Sequence, residues 1–473
     1  MLLDLAPLRK HRDFRFLFSG QLVSAFGSFL TYVALPVQIY DLTKSSAMVG
    51  LLGTVQLVPL ATTALWGGAF ADAIDRRRLL LGSEALLLLG SMALAVNSTL
   101  SRPSVPLLFA LAAMMSAVNG FHRPALESLT PRLVSVEELP AVSALTSLRG
   151  TLAAIAGPAL AGISIAGFGL PFTYCIDAAT FAMSLVALAA IRSMPPSPDA
   201  RSAGLSSILE ALTYAVQRPV LIGTYVVDIV AMTFAMPMAV FPALAARWGG
   251  TNAVGYLYSA MSVGSLAITV FSGWTRQVQR QGAAVVVSAI VWGLAIVALG
   301  YSTSIPAAIA CLVLAGAADM VSGLFRMTIW NETIPSHLRG RMAGVEQLSY
   351  MSGPLLGNAR AGLMAERFGL ARSITWGGLL CVVGVVACVP VLPAFWRMRR
   401  SAAEQRPYSP PSADSRLSSP LAPASFCHAS ASTALIRSQR KKGSSPKIAV
   451  TATTPASEAL LWGWSRFPKP FAR

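Results

Sequence analysis

Charge is scarce in this chain. Only 12% of its 473 residues are Asp, Glu, Lys or Arg, and just 20 are acidic. Soluble globular proteins carry about 25% charged residues, so the composition argues against a water-soluble fold. Cysteine is scarcer. Four of the five (Cys175, Cys311, Cys381 and Cys388) lie inside apolar runs, with no spacing of a disulfide framework or zinc site. The four histidines, His11, His122, His337 and His428, are scattered and show no metal-ligand spacing. No Gly-Lys dipeptide occurs, which excludes a Walker A loop and an ATP-driven pump within the chain. No soluble module carries a basic face with interleaved aromatics, so nucleic acid is not an expected partner. A cleavable signal is also missing; the first apolar segment is full length and is expected to remain as a span. No metal, cofactor or enzymatic reaction is expected from these residues.

What is present is apolar length. The chain is 54% hydrophobic with a mean hydropathy of +0.61. A hydrocarbon core about 30 Å thick needs roughly 20 apolar residues per helix. Twelve segments qualify: 16–39, 47–71, 79–96, 107–121, 140–166, 171–191, 220–244, 253–275, 283–301, 306–325, 342–364 and 373–396. The expected fold class is therefore all-α, with twelve transmembrane helices. Twenty Lys and Arg fall on the side of the N-terminus and the even-to-odd loops, against five (Lys44, Arg102, Arg247, Arg367 and Arg372) on the other. By the positive-inside rule both termini are expected in the cytoplasm, in a multi-pass protein of the cytoplasmic membrane. The net charge of +17 is unevenly placed: from Arg397 onward there are thirteen basic and three acidic residues.

An internal repeat organises the spans. Val118-Asn119-Gly120-Phe121-His122-Arg123 ends the fourth, and Val321-Ser322-Gly323-Leu324-Phe325-Arg326 ends the tenth. Gly157-Pro158-Ala159-Leu160 in the fifth matches Gly353-Pro354-Leu355-Leu356 in the eleventh. The same landmarks recur six spans apart, so two six-helix halves are expected. They comprise residues 1–191 and 219–397, joined by a cytoplasmic linker, 192–218, that opens with Pro195, Pro196 and Pro198. Residues 398–473 are rich in Ser, Ala and Pro and read as a disordered basic cytoplasmic tail.

The hinge between spans two and three runs Gly67-Gly68-Ala69-Phe70-Ala71-Asp72-Ala73-Ile74-Asp75-Arg76-Arg77-Arg78. It resembles the Gly-x-x-x-Asp-Arg-x-Gly-Arg-Lys loop of the major facilitator superfamily: Gly68, Asp72, Arg76 and Arg77 match, while Ala73 and Asp75 depart from it. Parallel six-helix halves are how transporters of that superfamily are built, with substrate between the halves near the bilayer midplane. The resemblance implies a conformational gate at Gly68, Asp72, Asp75, Arg76 and Arg77. The opening Leu2-Leu3-Asp4-Leu5-Ala6-Pro7-Leu8-Arg9-Lys10, then Val33-Ala34-Leu35-Pro36-Val37-Gln38-Ile39 and Phe241-Pro242-Ala243-Leu244-Ala245, is similar to the superfamily's enterobactin-exporter branch. This resemblance implies efflux of a siderophore driven by the proton motive force, with generic drug exporters as the alternative within the branch.

Ionisable groups within spans are costly and are functional candidates by default. Arg149 lies nine residues after Pro140, and Asp228 nine after Pro219. At 1.5 Å per residue both reach about 13 Å into the membrane. A cavity ion pair between Arg149 and Asp228 is therefore expected, either rearranged by substrate or proton, or static. Asp319 and Glu346 read as gate or packing contacts of Arg326, Arg339 or Arg341, and Glu84 as a partner of the Arg76, Arg77 and Arg78 loop. Asp177 reads as a helix-packing residue, and Arg360 as a side chain snorkelling to the interface. Gly157, Pro158 and Gly162 resemble the helix-kinking Gly-Pro motif of proton-coupled exporters. Trp66, Phe234, Trp248, Tyr256, Tyr258 and Tyr350 are candidate cavity aromatics. The expected partners are a small-molecule substrate and membrane lipid, and no oligomer is required. A membrane scaffold that only keeps the fold, and a nutrient importer, are the weaker readings.

Overall fold

A computed structural model describes residues 4–193, 205–248, 250–335 and 338–399, with the side chains of 65–73, 205–209, 211, 251, 252, 276, 339–341, 343, 344 and 347 outside that description. The basic tail lies outside the described residues from 400 onward. In hydrocarbon every backbone N–H and C=O must be satisfied within its own segment, and the chain answers with long helices.

The first half contains α1 (Arg12–Thr43), α2 (Ser46–Ala73), α3 (Arg76–Thr99) and α4 (Val105–Leu129). Next comes one 51-residue run, Leu139–Ala189, broken at Gly169 into α5 (residues 139–168) and α6 (residues 170–189). The second half contains α7 (Pro219–Ala235), α8 (Thr251–Val270), α9 (Gln281–Gly300), α10 (Ile305–Thr333), α11 (Arg339–Phe368) and α12 (Leu370–Val391). Among the described residues, ten helical stretches are long and apolar enough to cross a membrane. The Leu139–Ala189 run supplies two of the crossings, and α11 supplies the twelfth. Thirty residues long, α11 is too rich in Arg and Glu to stand out by hydropathy. The shortest of the first four, α3, has 24 residues and rises roughly 36 Å.

Three local departures from the sequence expectation have local causes. The fourth crossing, expected to end at 121, runs on through Pro124 to Leu129, and two 3-10 turns, Thr130–Leu133 and Val136–Glu138, follow. The seventh crossing is interrupted at Pro237, after which a 3-10 turn, Met238–Val240, leads into a short helix, Phe241–Trp248. The eighth stops at Val270 and ends in 3-10 turns, Ser272–Gln277. Between the halves a helix at Leu205–Val216 anchors to the second half, its Tyr214 hydroxyl donating to the Thr333 carbonyl at 2.8 Å.

Gly169 has φ 82° and ψ 175°, a region that only glycine occupies without strain. Gly169→Ala is expected to lower stability by about 1–3 kcal/mol, measured as a drop in thermal unfolding temperature in detergent.

The bundle is apolar outside and holds its polar groups inside. Val186 and Val391 are 73% and 74% exposed, whereas Glu84 and Asp177 are 0% exposed. The repeat is visible in the packing. A Cβ on Gly157 of α5 would stand 2.5 Å from Phe29 of α1, and one on Gly353 of α11 would stand 2.8 Å from Met232 of α7. These are the same helix pair, six spans apart.

Candidate functional site

The end of the bundle bearing Arg76 is called the basic end here, and the other the far end. At the far end the halves cross at two glycine contacts. Gly50 and Gly53 of α2 lie against α11, where Cβ atoms would stand 2.7 Å from the Asn358 carbonyl and 2.5 Å from that of Leu355. Gly255 of α8 lies against α5, its Cβ position 2.9 Å from the Pro158 carbonyl and 3.0 Å from Gly162 Cα. Gly162 and Pro158 thus sit in a contact between the halves. A hydrogen bond from Ser45 to Glu366 (3.1 Å) and one from the Tyr32 hydroxyl to the Met238 sulfur (2.8 Å) add to this closure.

Beneath it, between the halves, is a cavity of about 630 Å³ that reaches Asn119 and Arg123 toward the basic end. Its wall is mainly apolar and rich in methionine: Met115, Met232, Met236, Met238, Met261, Met320 and Met351 all line it. Tyr32 and Tyr258 meet edge to face there, with centroids 5.8 Å apart. Of the expected aromatics, Tyr258 and Tyr350 line the cavity, and the Trp66 side chain lies outside the described residues.

The cavity wall carries Arg123 and Asp177 from the first half and Asp228 and Asp319 from the second. Asp228 lies on its wall but is not paired with Arg149. It is engaged instead by Arg326 of α10, and the two side chains are each 5% exposed. Arg326 also approaches Asp319, 3.9 Å away. Arg149 is half-buried and makes no ion pair among the described residues; the charge facing it is Arg123, of like sign. The expected pair fails for a geometric reason. Counting from a proline fixes depth along a helix but not which way the side chain faces, and α10 offers Asp228 a cation within its own half. Glu346 is half-buried and forms no ion pair among the described residues.

At the basic end Asp75 caps α3, accepting from the Arg77 backbone N–H at 2.9 Å and from the Ser193 hydroxyl. Arg77 reaches the last turn of α6, donating to the carbonyls of Leu188 (3.2 Å) and Ala189 (2.6 Å). There it meets the negative end of that helix dipole. Arg76 is 4% exposed and donates to the Ser128 hydroxyl at 3.1 Å. Gly68 and Asp72 fall in the final turns of α2, where side chains lie outside the described residues.

Two further clusters were not anticipated in this form. Glu84 does not reach the arginine loop; it accepts from Gln21 at 2.6 Å and meets His122 at 3.0 Å. Arg360 does not snorkel but turns into the helix packing, donating to the Ser373 carbonyl at 3.1 Å across α12. The signal for both was the same: a polar group inside an apolar run, with its partner on another span and so invisible to local spacing.

Residues 3–419 match the family described as transmembrane secretion effectors. The enterobactin exporter EntS of Citrobacter koseri is 28% identical over 387 residues, covering 81% of this chain and 93% of that protein. EntS of Shigella boydii serotype 18 is 28% identical over 402 residues, covering 85% and 96%. Two solved structures share the fold. One, a POT family transporter in complex with 5-aminolevulinic acid, has a TM-score of 0.65 at 13% identity, covering 81% of this chain and 97% of its own. The other, the nucleoside transporter NupG, has a TM-score of 0.60 at 14% identity, covering 80% and 98%. With twelve crossings, an internal repeat and a central cavity, the chain is a multi-pass membrane transporter rather than an enzyme, and it belongs to the transmembrane secretion effector family of the major facilitator superfamily.

Proposed function

We propose that the protein is a secondary-active exporter of the cytoplasmic membrane, moving an amphipathic small molecule of the siderophore class outward in exchange for protons. The observation that carries this reading is the cavity of about 630 Å³ between the halves, with carboxylates on an otherwise apolar wall. Ligand sites span roughly 300–1,000 Å³ and are mostly apolar, with a few placed polar groups. The likeness to enterobactin exporters supports the direction and the substrate class. Residues 1–191 and 219–397 act as two bodies that alternate access to the cavity, linked by 192–218, with both termini in the cytoplasm as the arginine count suggests. A single chain encloses the cavity, so no oligomer is needed. No cofactor takes part; the proton gradient supplies the energy. In this scheme Arg326 shifts between Asp228 and Asp319 as one of them takes a proton. Asp75, Arg76 and Arg77 hold the basic end of α3 to α4 and α6.

A second reading, broad specificity for lipophilic drugs, is favoured by the seven methionines of the wall. Flexible thioethers repack around dissimilar ligands.

Both are tested in inside-out vesicles with an imposed proton gradient, following enterobactin beside a lipophilic dye. Gradient-driven uptake of enterobactin alone supports the first reading, and uptake of the dye supports the second. Movement of neither sinks the exporter proposal. Asp228→Asn is expected to abolish gradient-driven flux; unchanged flux removes Asp228 from the coupling step.

A further inference from the structure

We propose that Asp177, inside the first half, is a proton-binding site of this transporter, distinct from the carboxylates around Arg326. The role in transport rests on the proton-driven reading above; the binding itself does not.

Asp177 lies on α6 among the residues that line the first-half side of the cavity, and is 0% exposed. Its Oδ2 is saturated: Thr31 of α1 donates to it at 2.5 Å and Ser91 of α3 at 2.7 Å. Its Oδ1 has no hydrogen-bond partner among the described residues. That bare oxygen borders Gly27 of α1, where a Cβ would stand 2.6 Å away, and the Thr180 hydroxyl borders the same spot. Thr180 already spends its hydrogen on the Asp177 carbonyl at 2.7 Å, so it presents only lone pairs. In this arrangement Oδ1 receives no donor, and an added proton gives that oxygen a hydrogen of its own.

The charges around the site point the same way. α1 faces it with Gly27 and Thr31 and brings no ionisable group. α3 brings Ser91 and, two turns toward the basic end, Glu84, itself held by Gln21 and by His122 of α4. α6 adds Tyr174, whose hydroxyl donates to Gln38 at 2.8 Å. No cation among the described residues forms an ion pair with Asp177, unlike Asp228. An ionised carboxylate removed from water without a counter-charge is costly unless it takes up a proton. The step is simple and balanced: one H⁺ adds to Oδ1, carboxylate becomes carboxylic acid, and the reverse releases it. Proton occupancy at this point changes the charge of one cavity wall by a full unit.

The test is infrared difference spectroscopy of the full chain in lipid, stepped through pH, with the native protein beside Asp177→Asn. The expected result is a carboxylic-acid carbonyl band that grows as pH falls and is absent from Asp177→Asn, the other carboxyl bands being kept. Identical spectra overturn the proposal, because Asp177 then stays ionised. A band lost in the variant but independent of pH also overturns it, because Asp177 is then a permanent hydrogen-bonding acid. If Asp177→Asn does not fold, Ser91→Ala keeps the carboxyl and removes one donor; the band must move with that change, and an unmoved band overturns the assignment. The readout needs no transport. A titrating Asp177 band in a protein without gradient-driven flux defeats the exporter reading and leaves this site standing; gradient-driven flux with no such band does the reverse.

Discussion

Arg326→Gln is expected to destabilise the protein by about 3–5 kcal/mol, the cost of breaking a buried ion pair from one side. Both partners are almost wholly buried, Arg326 at 4% and Asp228 at 5% exposure. Removing the cation strands two carboxylates, since Asp319 lies 3.9 Å from the same guanidinium. Removing one carboxylate is milder. Asp228→Asn leaves Arg326 with Asp319 as its remaining counter-charge, so it is expected to cost less than Arg326→Gln. Combining the two substitutions removes the buried pair and leaves Asp319 as the one stranded carboxylate, so it is expected to recover part of the loss, since replacing a buried pair is often close to neutral. Thermal unfolding of the four proteins in detergent tests the order. If Arg326→Gln unfolds with the native protein, the cluster does not hold the second half together.

The second large effect is expected at the far-end crossings. A Cβ on Gly362 would stand 2.8 Å from Gly50 Cα and would also run into the Ser46 carbonyl. Both obstacles are backbone, so a side chain there must part the helices. Gly362→Leu is expected to weaken the closed arrangement by about 1–3 kcal/mol, the usual cost of overpacking. That corresponds to roughly 5–150-fold in the population of that state. Gly82→Leu is the control, since nothing lies within 4 Å of its Cβ position. The closure can be followed by cross-linking cysteines placed at Ser45 and Glu366, whose side chains meet at 3.1 Å. Cross-linking should fall in Gly362→Leu and persist in Gly82→Leu. Equal yields in both would mean that the α2–α11 contact is not what closes this end.

The fold was legible because hydrocarbon leaves the backbone few options, and a dozen apolar runs with a six-span repeat leave fewer still. Where the reading missed, the cause was local chemistry. Pro237 interrupted the seventh crossing, and α4 ran on past its apolar stretch to Leu129, a polar extension in which Arg123 and Glu127 pair one turn apart, at 3.3 Å. The site was only half legible. Asp228, Asp319 and Arg326 could each be picked out as charges in apolar surroundings, and Arg326 was among the cations expected beside Asp319, but Asp228 was given the wrong partner. Depth along a helix follows from counting residues, whereas the direction a side chain takes depends on which helices pack together. The same blindness gave Glu84 to the arginine loop, although Gln21 and His122 meet it from two other helices; Asp177, read as a helix-packing residue, does receive hydrogen bonds from Thr31 and Ser91 of two other helices.

The placement of Arg326 beside Asp228 carries a last consequence. Had the pair joined Arg149 to Asp228 across the cavity, every swing of one half away from the other would have had to pull opposite charges apart in a medium of low dielectric. With cation and carboxylates kept on α7 and α10, alternating access as proposed would leave this ion cluster intact within the second half. The contacts between the halves at the far end are made chiefly by glycine, methionine and tyrosine beside the Ser45–Glu366 hydrogen bond, so the proposed swing would depend more on shape than on charge, and added salt is expected to leave its rate nearly unchanged.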